Sequence, residues 1–432
     1  MDTIQIGLIG FGTIGTGVVK VLRERAGFLR RKIGVHLNLK RICDRDISAP
    51  RGVRVEEELL TNDPDRILED PEISIVLELV GGVHPAKEFI IKALRNGKHV
   101  ATANKALLAQ EWDDLFAAAH ETGQEIFFEA SVGGGIPIIK MLREGLISNE
   151  IQSIVGIVNG TSNYILTQME ETGLDFRDAL REAQEKGYAE KDPSFDVKGI
   201  DSAHKLAILA SLGFGRGIRY ADVYVEGIQD VSVQDIQYAA EFGYVIKLLA
   251  IAKEDNGELE VRVHPTLIPQ KHLLASVRGV FNAITLKGDL VGEQIFYGRG
   301  AGAEPTSSAV MSDIVDLAYH VTHHIRGRVA NIAYDTHIRR IRPIQEIETR
   351  YYLRVSSVDR PGVLAQIAGA LGEHNISIAT VFQKERKREQ VVPIILMTHA
   401  AKEADLSAAL SNLDQLAVVK RKTVAIRIEA QP

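Results

Sequence analysis

The first 130 residues alternate short apolar runs with amphipathic ones. Residues 3–9 are β-branched and apolar and end at Gly10, a pattern typical of a buried parallel strand. Similar runs predict strands at residues 35–42, 73–79, 99–102 and 125–128, with helices at 13–26, 85–95 and 106–120 between them. Strands that alternate with helices predict a Rossmann-type doubly wound parallel sheet of the α/β class.

The pattern changes near residue 134. Longer helices are predicted at residues 164–171, 175–186, 201–212 and 233–244, with strands at 151–158, 245–252 and 258–264. A glycine-rich loop at 297–305 precedes a helix that reaches about residue 323. We expect an α+β domain that binds substrate and forms the oligomer interface.

The C-terminal residues predict a third unit. From about residue 348 the order is strand, helix, strand, strand, helix, strand, which is typical of a ferredoxin-like domain. We therefore predict a dinucleotide-binding domain at 1–135 with a return helix near 303–325, and a substrate-binding and oligomerisation domain at 136–302. A basic, irregular linker follows at 326–347, and a regulatory domain at 348–429.

Composition narrows the class of protein. The chain has 432 residues, 45% of them apolar and 25% charged, as in globular proteins of two to four domains. Its net charge of −6 argues against nucleic-acid binding. A single cysteine, Cys43, excludes an intrachain disulfide, and neither a signal peptide nor a membrane span is evident. We expect a cytoplasmic protein.

The first glycine-rich loop carries a nucleotide-binding signal. It stands between a strand and a helix and consists of Gly10, Phe11, Gly12, Thr13, Ile14 and Gly15. Glycines at this spacing allow a tight turn and close approach of the backbone to a pyrophosphate at a helix N-terminus. The alternative is a glycine-rich turn that binds nothing.

The choice between NAD and NADP stays open at this point. Asp44, at the end of the second strand, could accept a hydrogen bond from a ribose 2′-hydroxyl and favour NAD. However, it lies further from Gly15 than the usual spacing of about 20 residues. Arg45 beside it could instead bind a 2′-phosphate and favour NADP.

The segment 187–205 concentrates charge ahead of an apolar helix. Asp201 and Lys205 are four residues apart and share a helix face, and Glu190 lies in the loop before them. Carboxylates beside a lysine can hold an ammonium group and move a proton to or from an oxygen. The alternative is a solvated loop with an ordinary surface salt bridge.

Five motifs together resemble homoserine dehydrogenase over nearly the whole chain, with a C-terminal ACT-type regulatory domain. They are residues 10–15 (GFGTIG), 102–105 (TANK), 129–137 (EASVGGGIP), 159–164 (NGTSNY) and 187–205. The resemblance implies NAD(P)-dependent interconversion of L-aspartate 4-semialdehyde and L-homoserine, in the biosynthesis of threonine, methionine and isoleucine.

The resemblance also implies roles for individual residues. Lys205 matches the proton donor and acceptor at the substrate oxygen, and Lys105 lies at the cofactor and substrate. Glu190 and Asp201 match substrate-binding acids. Such a reduction needs a proton for the new alkoxide, and burial with a second lysine nearby would lower the pKa of Lys205 and let it shuttle that proton.

Cofactor and cation contacts are implied in the same way. Gly187 and Gly302 match residues that line the cofactor. A monovalent cation, typically Na⁺, matches backbone groups of Glu129, Val132, Gly134 and Ile136. Glycines at 133–135 leave carbonyl oxygens free to turn toward a hard cation.

Residues 356–364 (SSVDRPGVL), followed by residues 375–378 (NISI), resemble the ACT signature. By resemblance, L-threonine would bind there as a feedback inhibitor, and ACT domains typically pair, so we expect a homodimer or homotetramer. The alternative is a purely structural dimerisation domain.

Three other functions are weighed against this one. Aspartate-semialdehyde dehydrogenase needs a cysteine nucleophile, and Cys43 is expected beside the adenosine ribose instead. A different amino-acid dehydrogenase on the same fold is a second alternative. A non-catalytic amino-acid sensor is the third, against which Glu190, Asp201 and Lys205 argue.

Overall fold

The structure is a computed structural model that describes residues 3–325, 338, 340–384 and 390–429. The chain divides into two compact units. The first unit comprises Met1–Ile154, Asp201–Val223 and Phe281–Ile338. The second unit comprises Val155–Ile200, Tyr224–Val280 and Arg339–Pro432.

A parallel sheet forms the centre of the first unit. Among the described residues its strands lie in the order Leu60–Thr61, His36–Cys43, Thr3–Ile9, Ile73–Glu78, His99–Thr102, Ile126–Phe127. Every neighbouring pair is parallel. The chain order 3-2-1-4-5-6 across the sheet is that of dinucleotide-binding folds, so the predicted fold class is confirmed.

Helices cover this sheet. The described α-helices of the first unit are Thr13–Glu24, Ala26–Ile33, Asp65–Leu68, Ala86–Arg95, Lys105–Thr122, Ile138–Lys140, Ala303–His323 and, except for its first residue, Ile200–Phe214. A π-helical turn, Met141–Gly145, and short 3₁₀ turns at Glu57–Leu59, Glu129–Ser131 and Tyr220–Asp222 complete it. The predicted return helix is present and packs closely on the first helix, where a Cβ at Gly17 would lie 2.2 Å from Ser307 Oγ.

One hairpin of the first unit was not predicted. Phe281–Gly288 pairs antiparallel with Gly292–Arg299, so the predicted loop 297–305 begins as a strand. Alternate side chains of Gly292–Arg299 are exposed and half-buried. Its glycines and charged residues hide the alternation of apolar positions that marks a strand in sequence.

A mixed sheet dominates the second unit. Tyr244–Asp255 and Glu258–Pro269 form a long antiparallel hairpin, and Val424–Ile428 pairs parallel with the second of these strands. The sheet continues through Glu348–Val358, Val391–Thr398 and Ile378–Phe382. Short strands are Tyr224–Val225, Arg340–Ile341 and Ala401–Lys402, while Ile151–Ile157 crosses the division between the units.

The second unit also contains the predicted ferredoxin-like order. The order is strand Glu348–Val358, helix Val363–Gly372, strand Ile378–Phe382, strand Val391–Thr398, helix Glu403–Gln415 and strand Val424–Ile428. The sequence predicts the last of these strands at residues 417–428, but the strand begins only at Val424, because residues 417 and 418 form a turn. The other described helices of the second unit are Gly160–Thr172, Phe176–Glu185, Ser194–Val197 and Val233–Glu241, with 3₁₀ turns at Leu273–Ser276 and Ile344–Glu346.

The predicted linker 326–347 is described only in part. Residues 326–337 and 339 lie outside the described residues. Arg340–Ile341 pairs with Glu258–Leu259 as a short parallel strand. The domain boundaries at 135, 302 and 347 stay predictions. Among the described residues, none of the helices has the length and apolar character that crossing a membrane requires.

Candidate active site

The first glycine loop joins the strand Thr3–Ile9 to the helix Thr13–Glu24. Gly10 has φ 104°, and a Cβ there would lie 2.5 Å from the Leu79 carbonyl carbon. A Cβ at Gly15 would lie 2.2 Å from Gly10 O, whereas one at Gly12 would meet no atom within 4 Å. The first and third glycines therefore pack the turn, and Gly12 leaves its outer side open for a ligand.

A cavity of about 480 Å³ opens beside this loop. Gly10, Gly12, Asp44 and Arg45 are among the residues that line it. Thr13 is exposed at the start of the helix, with Ile14 half-buried behind it. A helix N-terminus, an open glycine and a cavity at the carboxyl ends of parallel strands fit a dinucleotide, so the residues present suit NAD(P).

Asp44 is already heavily engaged. Its carboxylate accepts hydrogen bonds from Phe11 N at 2.6 Å and Asp46 N at 3.1 Å, and it pairs with Arg51 at 3.1 Å. The Arg51 guanidinium also lies 5.7 Å from the centre of the Phe11 ring. Asp44 therefore braces the glycine loop, Arg45 lines the cavity, and Arg51 pairs with Asp44.

Cys43 is buried at the end of its strand and also lines the cavity. Burial, with a further contribution from Asp44, raises the pKa of its thiol to about 11. A thiol with so high a pKa is a poor nucleophile near neutral pH. The location and the pKa both argue against thioester chemistry.

A buried polar network leads from the sheet to Lys105. Glu78 is fully buried and accepts hydrogen bonds from Val80 N at 2.9 Å and Thr102 Oγ1 at 2.7 Å. Thr102 Oγ1 in turn accepts from Asn104 N at 3.0 Å. Burial raises the pKa of Glu78 despite these bonds.

Asn104 links this network to the helix Lys105–Thr122. Its side-chain oxygen caps the helix by accepting from Leu107 N at 3.2 Å, and its amide donates to Gly82 O at 2.6 Å. One side chain thus fixes both the helix that begins with Lys105 and the loop 79–82 beside the glycine turn.

The first unit brings Lys105, Asp201 and Lys205 together. Lys105 Nζ lies 2.6 Å from Asp201 Oδ1, and Lys205 Nζ lies 2.7 Å from Asp201 Oδ2. The side chains of Asp201 and Lys205 are 4% and 9% exposed, and that of Lys105 is 35% exposed. A buried carboxylate therefore bridges two ammonium groups, one of which reaches solvent.

The charges of this cluster shift the pKa of neighbouring groups. Burial alone would raise the pKa of Asp201, but Lys205 and Lys105 outweigh it and hold that pKa well below its usual range. His204 lies with its ring edge-on to Tyr220 at 4.7 Å. Burial lowers the pKa of His204 to about 4, against the opposing effect of the Asp201 charge and with a further contribution from Lys105. At neutral pH Asp201 is thus ionised and His204 is neutral.

Two of the sequence motifs meet in the second unit. Asn159 Nδ2 donates to Asp196 Oδ1 at 2.7 Å, and Thr161 Oγ1 donates to Tyr188 O at 2.7 Å. Asp192 accepts from Ser194 N at 3.0 Å and holds the turn locally. Asp192 and Asp196 therefore organise the loop itself.

Glu190 and Gly187 also lie in the second unit. Both are exposed, and Gly187 has φ 73°. The main-chain oxygen of Glu190 accepts from Gln184 Nε2 at 3.0 Å. That the Glu190 carboxylate lies close to Asp201 and Lys205 stays a prediction.

The proposed cation ligands lie in the first unit, at the loop 129–136. Gly134 has φ 55°, and a Cβ there would lie 2.6 Å from the Gly300 carbonyl carbon. Ile136 N donates to Gly133 O at 2.9 Å, and Val132 is fully buried. This tight turn brings the backbone of residues 132–136 close to the backbone at Gly300. Gly302, two residues further on, has φ 118°.

Glu129 contributes its carboxylate to structure rather than to a metal. It accepts from Ile139 N at 3.0 Å and Lys140 N at 2.7 Å, while Glu129 N donates to Asp313 Oδ2 at 2.9 Å. Burial raises the pKa of Glu129 to about 7 and that of Asp313 well above its usual range. Neutral backbone oxygens suit a monovalent cation, and among the described residues no cluster of three His, Cys, Asp or Glu could hold a metal.

Several residues of the site were not identified from sequence. An acid inside an apolar strand or helix was the available signal for Glu78 and Asp313. His204 adjoins Lys205 and could have been considered with it. Arg51 had no local signal, because only the fold of the loop after Asp44 returns it to that carboxylate.

Family models match most of the chain. One described as "Homoserine dehydrogenase, NAD binding domain" matches residues 10–129, and one described as "Homoserine dehydrogenase" matches residues 137–315. An ACT domain model matches residues 351–418.

Similar proteins extend over the full length. The chain is 42% identical to a homoserine dehydrogenase of Neisseria gonorrhoeae, covering 100% of this chain and 99% of that protein. It is 44% identical to one of Synechocystis, covering 99% of each. A crystal structure of a homoserine dehydrogenase from Thiobacillus denitrificans has TM-score 0.92 and 45% identity, covering 100% of this chain and 99% of that one. A hyperthermophilic archaeal homoserine dehydrogenase in complex with NADPH has TM-score 0.63 and 30% identity, covering 73% and 98%.

Proposed function

The chain belongs to the homoserine dehydrogenase family of NAD(P)-dependent oxidoreductases acting on a CH–OH group, and from this premise we propose how its residues act. The reaction interconverts L-homoserine and L-aspartate 4-semialdehyde. The bridge from Lys105 through Asp201 to Lys205 is the observation that carries the assignment of proton transfer.

Lys205 is the proposed proton carrier at the substrate oxygen. The nicotinamide, when bound, accepts or supplies the hydride. Oxidising the alcohol also releases the hydroxyl proton, which the neutral amine of Lys205 takes up to become an ammonium; in the reverse reduction that ammonium returns a proton to the new alkoxide. Asp201 is held ionised and His204 is held neutral, so the lysines are the members of this cluster suited to exchange that proton. Lys205 is the more buried of the two lysines.

Asp201 and Lys105 support this step. Asp201 holds the Lys205 ammonium at 2.7 Å and orients it. Lys105 shares the same carboxylate, which keeps the local charge positive and favours release of a proton to a developing alkoxide. Removing Asp201 would therefore leave two ammonium groups without the anion between them.

Glu190 and Asp201 are the proposed substrate-binding acids. The amino-acid end of the substrate carries an ammonium group, for which an exposed carboxylate on a braced loop is a suitable partner. Glu190 meets that description, because Asp192, Asp196 and Asn159 hold the loop around it.

NADP is the proposed preferred cofactor. Asp44 already receives two backbone N–H groups and Arg51, which leaves it less able to accept from a ribose hydroxyl. Arg45 lines the cavity and Arg51 lies beside Asp44, and guanidinium groups bind phosphate well. The solved structure of an archaeal family relative is a complex with NADPH. A Na⁺ ion held by backbone groups at Glu129, Val132, Gly134 and Ile136 completes the proposed site.

Feedback regulation by L-threonine through the ACT domain is also proposed, in the biosynthesis of threonine, methionine and isoleucine. The match to an ACT domain at 351–418 supports a small-molecule effector. A homodimer or homotetramer is the proposed assembly.

One assay tests the function. Purified protein receives L-homoserine with NAD or NADP, and the absorbance of the reduced cofactor is followed with and without L-threonine. We expect turnover that requires both homoserine and a dinucleotide. No turnover with either cofactor would contradict the enzyme assignment, whereas turnover indifferent to threonine would contradict only the effector.

A further inference from the structure

Asn282 is a buried amide with no hydrogen bond to explain its place in the core. It lies in the strand Phe281–Gly288 and is 0% exposed. Among the described residues, neither its side-chain oxygen nor its side-chain nitrogen has a hydrogen-bond partner. A carboxamide offers an acceptor and two donors, and buried polar groups of native proteins are nearly always paired. An unpaired buried amide costs stability, so its presence here calls for a state of the protein in which it is paired.

The Asn282 amide packs on the backbone at Gly300. A Cβ at Gly300 would overlap the carboxamide and would lie 2.6 Å from Asn282 Oδ1, so only glycine fits at this position. Gly134 packs on the peptide that follows, because a Cβ at Gly134 would lie 2.6 Å from the Gly300 carbonyl carbon and 2.9 Å from Ala301 N. The carboxamide therefore touches this backbone without forming a hydrogen bond to it.

The loop 300–302 is anchored at its two ends. Gly135 N donates to Arg299 O at 3.1 Å, and Thr306 N donates to Gly302 O at 3.1 Å. The three residues of the loop are Gly, Ala and Gly, which bring no polar side chain, and the last two are exposed. A glycine-rich segment between fixed ends can turn its peptide groups at little cost.

This loop lies beside the helix that carries the nucleotide motif. The loop leads directly into the helix Ala303–His323. A Cβ at Gly17, two residues after the glycine loop 10–15, would lie 3.4 Å from Ala303 O. The exposed end of the loop 300–302 is therefore next to the N-terminal turns of the helix Thr13–Glu24, where a pyrophosphate is expected to bind.

We propose that Asn282 is a positioning residue that latches the loop 300–302 when NAD(P) is bound. In the latched state, peptide groups of the loop turn toward the carboxamide, which accepts from a backbone N–H and donates to a carbonyl oxygen. The arrangement described above is the unlatched one, in which the amide is unpaired. Cofactor binding shifts the loop to the latched state, as loops that close on a ligand do.

Hydrogen exchange of the wild-type, full-length protein tests the latch without any substitution. The backbone amides of residues 301–303, followed by mass spectrometry, should exchange at least about tenfold more slowly with saturating NADPH, since a hydrogen bond formed on closure opposes local opening. Exchange that NADPH leaves unchanged would overturn the proposal. In Asn282→Leu most of this slowing should be lost, and slowing equal to that of the wild type would also overturn it.

Replacing Asn282 with Leu separates a latch from a purely structural role. Leu has a similar volume and no polar atoms, so the protein without cofactor should unfold at a higher urea concentration than the wild type. The Kd for NADPH, measured by its fluorescence, should rise about tenfold, because the latched state loses its hydrogen bonds. An amide that only supports the fold would give a lower unfolding midpoint and an unchanged Kd, and that result would overturn the proposal. The wild-type exchange experiment keeps the proposal testable if this variant does not fold.

Thr285→Val is the matched control on the same strand. Thr285 is 3% exposed, and its hydroxyl has no hydrogen-bond partner among the described residues. It lies opposite Ile295, whereas Asn282 lies opposite Gly298, close to the loop. Thr285→Val should also raise the unfolding midpoint, but it should leave the Kd for NADPH within about twofold. A tenfold rise in this control would show that the effect is not specific to Asn282 and would overturn the proposal.

Steady-state kinetics of Asn282→Leu give a further readout. The KM for NADP should rise about tenfold, while kcat at saturating cofactor should stay within about twofold of the wild type, because Lys205 and Asp201 are unaltered. A wild-type KM with a lowered kcat would place the effect of Asn282 on the chemical step and would overturn the latch.

Discussion

Lys105 and Asp201, far apart in sequence, form an ion pair of 2.6 Å within the first unit. Asp201 is 4% exposed and also binds Lys205 at 2.7 Å. Lys105 thus reaches the Asp201 carboxylate through tertiary structure, whereas Lys205 lies one helical turn away from it.

Replacing Lys205 with Ala should lower kcat for homoserine oxidation by about 10²- to 10⁴-fold, the usual contribution of a positioned acid or base. Cofactor affinity, measured by NADPH fluorescence, should stay near the wild-type value, because the glycine loop is unaltered. Lys191→Ala, an exposed lysine of the same segment, serves as the control. A Lys205→Ala enzyme with the wild-type kcat would disprove the proton-transfer role.

Replacing Asp201 with Asn should lower the free energy of unfolding by about 3 kcal/mol at pH 7, because it leaves two ammonium groups around a buried amide. The folded-state pKa of Asp201 lies below its usual value of 3.8. Its stabilising contribution is therefore present above about pH 4 and is lost as the pH falls through the folded-state pKa.

Chemical denaturation of wild type and Asp201→Asn at pH 7 and pH 5 should show the same stability difference at both values. Asp192→Asn, in the loop, is the control and should change stability by less than about 1 kcal/mol. A difference that disappears between pH 7 and pH 5 would contradict the lowered pKa.

Replacing Asn104 with Ala should remove both the helix cap and the bond to Gly82 O. We expect a loss of about 1 kcal/mol in stability and a raised KM for both cofactor and homoserine, since the loop 79–82 and Lys105 lose a shared anchor. Asn104→Ser keeps a capping acceptor but lacks the amide donor that reaches Gly82 O. It should recover thermal stability without recovering the cofactor KM, and recovery of both would refute the anchoring of the loop.

Replacing Arg45 with Ala should raise the KM for NADP about tenfold more than that for NAD, the loss of a guanidinium contact to phosphate being worth roughly 1.4 kcal/mol. Arg54→Ala, an exposed arginine not lining the cavity, is the control. Equal effects on the two cofactors would show that Arg45 does not read the 2′ position.

Exchanging NaCl for tetramethylammonium chloride at constant ionic strength should lower kcat/KM if Na⁺ is held by the backbone of the loop 129–136. Titrating NaCl back should restore the rate along a saturation curve. Activity that follows ionic strength alone would exclude a specific cation.

Local features were readable from the sequence because they depend on neighbours along the chain. The glycine spacing at 10–15, the shared helix face of Asp201 and Lys205, and the strand–helix order of both α/β regions follow from backbone geometry and periodicity. The resemblance added the activity. The hairpin Phe281–Arg299 escaped prediction because its alternation is carried by polar and glycine positions.

Long-range pairings were decided only by the tertiary structure. Asp201 receives Lys105, and Arg427 joins Glu226 to Glu403. Charged side chains are common along the chain, and periodicity indicates which face they occupy but not which distant partner arrives there. Burial also sets their pKa values, and burial exists only once the sheets and helices have packed. The sequence alone thus determined the fold class, the nucleotide loop and the Asp201–Lys205 pair. Packing determined that Lys105 joins this pair and that Arg427 lies between Glu226 and Glu403.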